Sequence, residues 1–161
     1  KGTVRAPKET IEEVTIRFPW LGRSIAFHPA DEGFRLGGWN ARVWRVNHGH
    51  NGHAYAYRFD HAETGWSWAY CPDAIGLSET EKAPLEGLDL LVLGTSFWRE
   101  TIPYERRSVH DVVEALELLR ELEPRRAVFT HLSHDIDLTR RHDLPENARF
   151  AEAGLTIRLG G

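Results

Sequence analysis

The sequence holds a single cysteine, Cys71, and no methionine. One thiol excludes an internal disulfide framework and fits a reducing compartment. No apolar run approaches the roughly 20 residues of a membrane-crossing helix, and the charged start at Lys1 and Arg5 leads into no signal-peptide core, so a cytoplasmic protein is expected. Basic excess is also missing. Lys and Arg number 20 against 24 Asp and Glu, a net charge of −4, which offers no general attraction for a nucleic acid polymer or a membrane surface. Repeats, low-complexity tracts and long linkers are absent, so one domain is expected. With 161 residues, 41% of them hydrophobic, the chain can bury roughly two-thirds of its unfolded surface without a metal to hold its core. Any metal would therefore be functional. What stands out is histidine: there are nine, and imidazole titrates near neutrality and is the commonest metal ligand.

Periodicity divides the chain into two styles. Ala6 to Phe18 reads as a helix, with Pro7 in its first turn and Pro19 closing it. Short strands follow at Ser24 to His28, at Trp39 to Val46 with a bulge near Trp44, at Ala54 to Asp60, and, after a turn over residues 61–65, at Trp66 to Cys71. The second half alternates strand and helix. Leu88 to Gly94 is a strand covered on both faces. Ser108 or Asp111 caps a helix carrying Val109, Val112, Val113, Leu116, Leu119 and Leu122 at helical spacing, and Pro124 ends it. Arg126 to Thr130 reads as a strand, Pro145 to Ala151 as a short helix and Leu155 to Leu159 as a closing strand. Hairpins followed by a strand-helix-strand unit suggest a layered α/β domain on a mixed sheet.

On this outline His48, Asp73 and His131 each follow a strand end, with His134 three residues beyond His131. Strand ends are where an α/β domain gathers site residues from distant stretches of sequence. Two imidazoles and a carboxylate suit Zn, Mn or Fe. Polar residues at strand ends also cap turns, and spacing alone leaves the two readings level.

Residues 46–48 (Val-Asn-His), 69–73 (Ala-Tyr-Cys-Pro-Asp), the strand over residues 88–93 and 130–134 (Thr-His-Leu-Ser-His) occur in the order seen in metallo-β-lactamase-fold hydrolases, over a stretch from about Trp39 to Leu159. The chain most resembles the phosphodiesterase branch, which includes ribonuclease Z and the phosphoribosyl cyclic phosphate phosphodiesterase. The resemblance implies an αββα sandwich with two divalent metal ions at one edge. His48 resembles the third metal-ligand motif, Asp73 the carboxylate that bridges both ions, and His131 the last histidine ligand; His134 is similar to a histidine beside the substrate phosphate. His110, near the start of the amphipathic helix, resembles a histidine that protonates the leaving oxygen, the alternative being an exposed helix-start residue. The family's His-x-His-x-Asp-His cluster does not occur in the chain. Residues 1–161 are therefore expected to be the C-terminal majority of one such domain, truncated at its N-terminus, holding one metal or none by themselves and inactive alone.

The resemblance implies hydrolysis of a small, cyclic phosphodiester by metal-activated hydroxide, with Asp135 and Asp137 as acceptors orienting the ligand histidines. Arg106 and Arg107 can hold a phosphate, although a solvated pair is expected for at least one of them. His50 and His53 read first as a flexible turn, His28, His61 and His142 as surface or loop residues, Cys71 as a small buried side chain, and Trp98 as a core residue or a stacking wall. The rival reading is a non-catalytic binding or scaffold domain that retains the fold. A homodimer is left open.

Overall fold

Strand alternation and one amphipathic helix generate the architecture. A computed structural model describes residues 1–160. In chain order the elements are β1 (Gly2–Ala6), α1 (Lys8–Arg17), β2 (Ile25–Pro29), β3 (Phe34–Leu36), β4 (Trp39–Asn47), β5 (His53–His61), β6 (Ser67–Cys71), α2 (Glu79–Lys82), β7 (Leu90–Gly94), α3 (Val112–Leu122), β8 (Ala127–Thr130) and β9 (Ala148–Phe150), with short 3-10 turns between several of them. β3 to β9 form one seven-stranded sheet in sequence order, while β1 and β2 pair in parallel as a separate ribbon. Pairing is antiparallel from β3 to β6 and parallel from β6 to β9. Two successive antiparallel steps give β4 the direction of β6. As a result β4, β6, β7 and β8 all end at one edge of the sheet.

The sheet buries one face under α3. Asp111 caps that helix: its carboxylate accepts the Glu114 amide at 2.8 Å, and the Glu114 carboxylate accepts the Asp111 amide at 3.0 Å, a reciprocal box that satisfies two otherwise orphaned donors. Val112, Ala115, Leu118, Leu119 and Leu122 then pack on Ala69, Cys71, Leu91, Leu93, Ala127 and Phe129. Each large side chain buried there contributes roughly 1.5–3 kcal/mol. The opposite face carries Tyr57 and Phe59 across from Tyr70 and Trp68, with Phe59 stacked on Trp68 at 4.5 Å. β1 lies over this aromatic face, where Thr3, Arg5, Phe34, Leu36, Tyr57 and Phe59 line a cavity of about 570 Å³. Among the described residues no helix is long and apolar enough to cross a membrane.

Several sequence expectations are corrected. No bulge interrupts β4, whose register with β5 runs unbroken from Trp39 opposite His61 to Asn47 opposite His53. Trp44 is accommodated on the helix side instead, donating its indole N–H to the Glu81 carbonyl at 3.1 Å. The helix expected over residues 145–151 is strand β9, drawn into parallel pairing with β8, because a few residues gain more from completing a sheet edge than from a single helical turn. Residues 155–159 form no strand. Strands β1 and β3 were not anticipated, and Val109 precedes α3 rather than lying on it.

Candidate metal centre

The common edge of β4, β6, β7 and β8 collects four loops. Asp73 follows β6 and His131 follows β8, and the structure brings this pair together, His131 Nε2 lying 3.4 Å from Asp73 Oδ1. His131 sits at φ 60, in the left-handed region that an ordinary side chain enters only at a cost of about 1–3 kcal/mol; such strain persists where the surroundings impose it, commonly at functional sites. β6 and β7 close tightly behind the pair. A Cβ on Gly94 would stand 1.5 Å from the Pro72 carbonyl oxygen, so only glycine fits there.

His48 follows β4. Its Nδ1 lies 2.7 Å from the Ser108 carbonyl oxygen, and since a carbonyl only accepts, Nδ1 carries the proton and Nε2 the lone pair. Asn51 Nδ2 approaches that Nε2 at 3.3 Å. An imidazole with one nitrogen anchored to an acceptor and the other bearing a lone pair has the form of a metal ligand. Neutral imidazoles and a carboxylate are the donor types that zinc, manganese and iron accept. In kind, then, His48, Asp73 and His131 fit a divalent cation. In number they make part of a coordination set: no group of three His, Cys, Asp or Glu side chains arranged to hold a metal occurs among the described residues. The structure joins Asp73 to His131 and leaves His48 outside that pair.

The remaining candidates separate clearly. His134 is exposed on the loop after His131. His110 is not the exposed helix-start residue weighed as its alternative role. It is 7% exposed, and neither ring nitrogen has a hydrogen-bond partner among the described residues, the Glu114 carboxylate lying 3.9 Å from Nδ1. Burial pushes its pKa down to about 4, assisted by the Arg107 cation and opposed by Glu114 and Asp111. Arg107 is not available to a phosphate. It is buried and makes a two-pronged ion pair with Glu114, at 2.8 and 2.5 Å, while Arg106 is exposed. Asp135 and Asp137 do not orient the ligand histidines. Asp135 is bonded to Ser133, and Asp137 to Thr139 and Arg140. His53 pairs with Glu9 on α1, His50 is exposed with its amide on the Arg107 carbonyl, and one face of Trp98 is occupied by His142 at 5.5 Å. Cys71 is fully buried, and burial pushes its thiol up to about 12, so it is no nucleophile at neutral pH.

Two organising residues escaped the sequence. Asn47 clamps two site loops, donating to the Ile75 carbonyl at 2.7 Å and accepting the Gly49 amide at 2.9 Å. Ser108 acts through its backbone carbonyl, for which residue type gives no signal. A surface groove of about 640 Å³, lined by Arg140, His142, Arg149, Phe150 and Leu155 among others, contains none of His48, Asp73 and His131.

Residues 2–132 match the beta-lactamase superfamily domain. The chain belongs to the beta-lactamase superfamily. No curated protein matches the sequence. Among solved structures, a diphosphatase of the PhnP family aligns with a TM-score of 0.78 at 22% identity, over 95% of this chain and 56% of that one. Human tRNase Z, short form, aligns at 0.67 and 11% identity over 98% of this chain and 68% of that one. Zinc-bound PqqB from Methylobacterium extorquens aligns at 0.61 and 15% identity, over 81% and 54%. At such identities the likeness establishes the metallo-β-lactamase fold, and the layered architecture described above is that of the superfamily. The chain spans between about half and two-thirds of the length of these relatives.

Proposed function

We propose that the chain is the C-terminal majority of a metal-dependent hydrolase domain, acting on a small phosphodiester, whose remaining metal ligands lie outside these residues. The observation that carries this reading is the Asp73–His131 pair, 3.4 Å apart at the sheet edge where His48 also follows a strand end, with His48 Nδ1 anchored on the Ser108 carbonyl and its Nε2 met, among the described residues, only by the Asn51 amide. The beta-lactamase superfamily supplies the context, and the similarity to a diphosphatase and to tRNase Z supports a phosphoester substrate. The chain's net charge of −4 favours a small diester over a long nucleic acid.

His48, Asp73 and His131 would hold divalent cations, Zn, Mn or Fe, two in the complete domain. Bound ions of this kind polarise a phosphoryl oxygen and lower the pKa of water. Asp73 presents its carboxylate beside the His131 ring and balances cationic charge there. His134, exposed beside His131, contacts a phosphate oxygen of the substrate. For His110 to protonate a leaving oxygen, the negative charge of the bound phosphodiester must first raise its pKa from about 4.

The test uses the longer polypeptide that includes this chain and the residues encoded before it. Turnover of bis-p-nitrophenyl phosphate should require Mn or Zn, and Asp73→Ala should lower it by about a hundredfold or more. Turnover that ignores chelators, or that survives Asp73→Ala, would count against the reading. The second reading, a non-catalytic domain that keeps the fold, draws on the absence of a three-donor group among the described residues; it predicts no metal-dependent turnover from the longer polypeptide.

A further inference from the structure

The segment 107–110, between a 3-10 turn at Tyr104–Arg106 and the cap of α3, contacts the loops of the site through its backbone. The Arg107 carbonyl accepts the His50 amide at 2.9 Å, the Ser108 carbonyl accepts His48 Nδ1–H at 2.7 Å, the His110 amide donates to the Ala74 carbonyl at 2.9 Å, and the His110 carbonyl accepts the Ser96 amide at 2.9 Å. One strap thus meets the loop that carries His48, the residue after Asp73 and the loop after β7. The Ser96 carbonyl in turn accepts the Ser133 amide at 3.0 Å, which ties in the loop that carries His131 and His134. Approach is close: a Cβ on Gly49 would stand 2.2 Å from the Arg107 carbonyl oxygen.

The strap has a charged side-chain anchor. Arg107, 7% exposed, is held by both Glu114 carboxylate oxygens at 2.8 and 2.5 Å and lies 3.5 Å from Asp111 Oδ2. Glu114 and Asp111 are themselves fixed by the capping box of α3. The planar fork of arginine matches a carboxylate in a way that the point charge of lysine does not. We infer that the Arg107–Glu114 pair is a positioning element for the metal centre: by fixing the strap on the start of α3 it sets the Ser108 carbonyl, and so the tautomer and orientation of His48. This rests on the reading of His48 as a ligand, but its test requires neither metal nor turnover.

Ring-nitrogen NMR of histidine-labelled protein, at a pH of about 8 where an ordinary imidazole is neutral, reads the tautomer of His48 directly. The wild-type chain should show Nδ1–H with a slowly exchanging ring proton. In Arg107→Lys, which keeps a cation without the fork, the His48 ring proton and the His50 amide should exchange about tenfold faster, while the amides of Leu93 and Phe129 keep their wild-type rates. Glu114→Gln should act in the same direction. A wild-type His48 in the Nε2–H form, or Arg107→Lys with unchanged exchange at His48 and His50, would overturn the inference. So would uniform acceleration or loss of protection at every amide, because the pair would then be a general stability element. Failure of the hydrolase reading looks different: the ring signature stands while the longer polypeptide shows no metal-dependent turnover.

Discussion

The two layers of the molecule are built to different standards. Under α3, Leu91, Leu93, Ala115 and Phe129 have no exposure at all. Across the sheet, α1 has no buried residue, and Ile16, Phe18 and Trp20 are 80%, 44% and 59% exposed. Charge follows the same division. The Arg107–Glu114 pair, with Arg107 buried and Glu114 half-buried, sits at the start of the capped helix, whereas Glu9, which reaches from α1 to Arg45 on β4 and His53 on β5, is an exposed contact. The parallel ribbon of β1 and β2 adds the Arg5 guanidinium over the Phe34 ring and a cavity between the layers. Parallel strands are normally covered on both faces, and two strands alone are marginal. The site depends on the first layer, which holds the ends of β6, β7 and β8 in register; the second layer buries little beyond Pro7 and Ala30 and reaches the sheet through exposed polar contacts.

The difference is open to direct challenge. Phe129→Ala, at the centre of the covered layer, should cost about 4 kcal/mol in denaturant unfolding; a loss under about 1 kcal/mol would show that the layer repacks freely and is not the rigid frame described. The next effect is one of pH. Unfolded chain takes up a proton at His110 near 6.5, folded chain only near 4, so the unfolded state binds more protons between those values. Stability should therefore fall by up to ~3 kcal/mol as pH drops through that window, with no contribution from His110 to the slope above it. His110→Leu should remove that part of the dependence, and an unchanged slope would place the burial penalty elsewhere. Glu9→Gln should leave global unfolding unchanged while amides of α1 exchange faster; a cooperative loss of stability would mean that the layers unfold as one unit. Smallest of all, Ile16→Ser should move the unfolding free energy by less than about 0.5 kcal/mol, and a larger loss would reveal cover over α1 in solution.

How much of this could be read in advance depended on whether a signal was local. The buried run over residues 88–94 and the apolar spacing after a Ser108 or Asp111 cap announced β7 and α3, because period and capping are written in neighbouring side chains. β1, β3 and β9 were missed, since three to five residues at an edge take their state from the strand beside them. At the site, Asp73 and His131 were legible as polar residues at strand ends, and the structure sets them side by side. The partner of His48 was not, since it is a backbone carbonyl from a segment 60 residues away. His110 was read as near the start of the helix, which it precedes by two residues, and its burial came from packing between loops, which helix periodicity does not encode.

Zinc titration of the longer polypeptide, histidine-labelled and followed at the ring nitrogens, tests the central claim most directly. The account predicts that His48 and His131 shift together, that His28 and His61 stay in place, and that Asp73→Ala abolishes the response. Shifts centred on His50 and His53, or a response at His131 that persists without the Asp73 carboxylate, would contradict it.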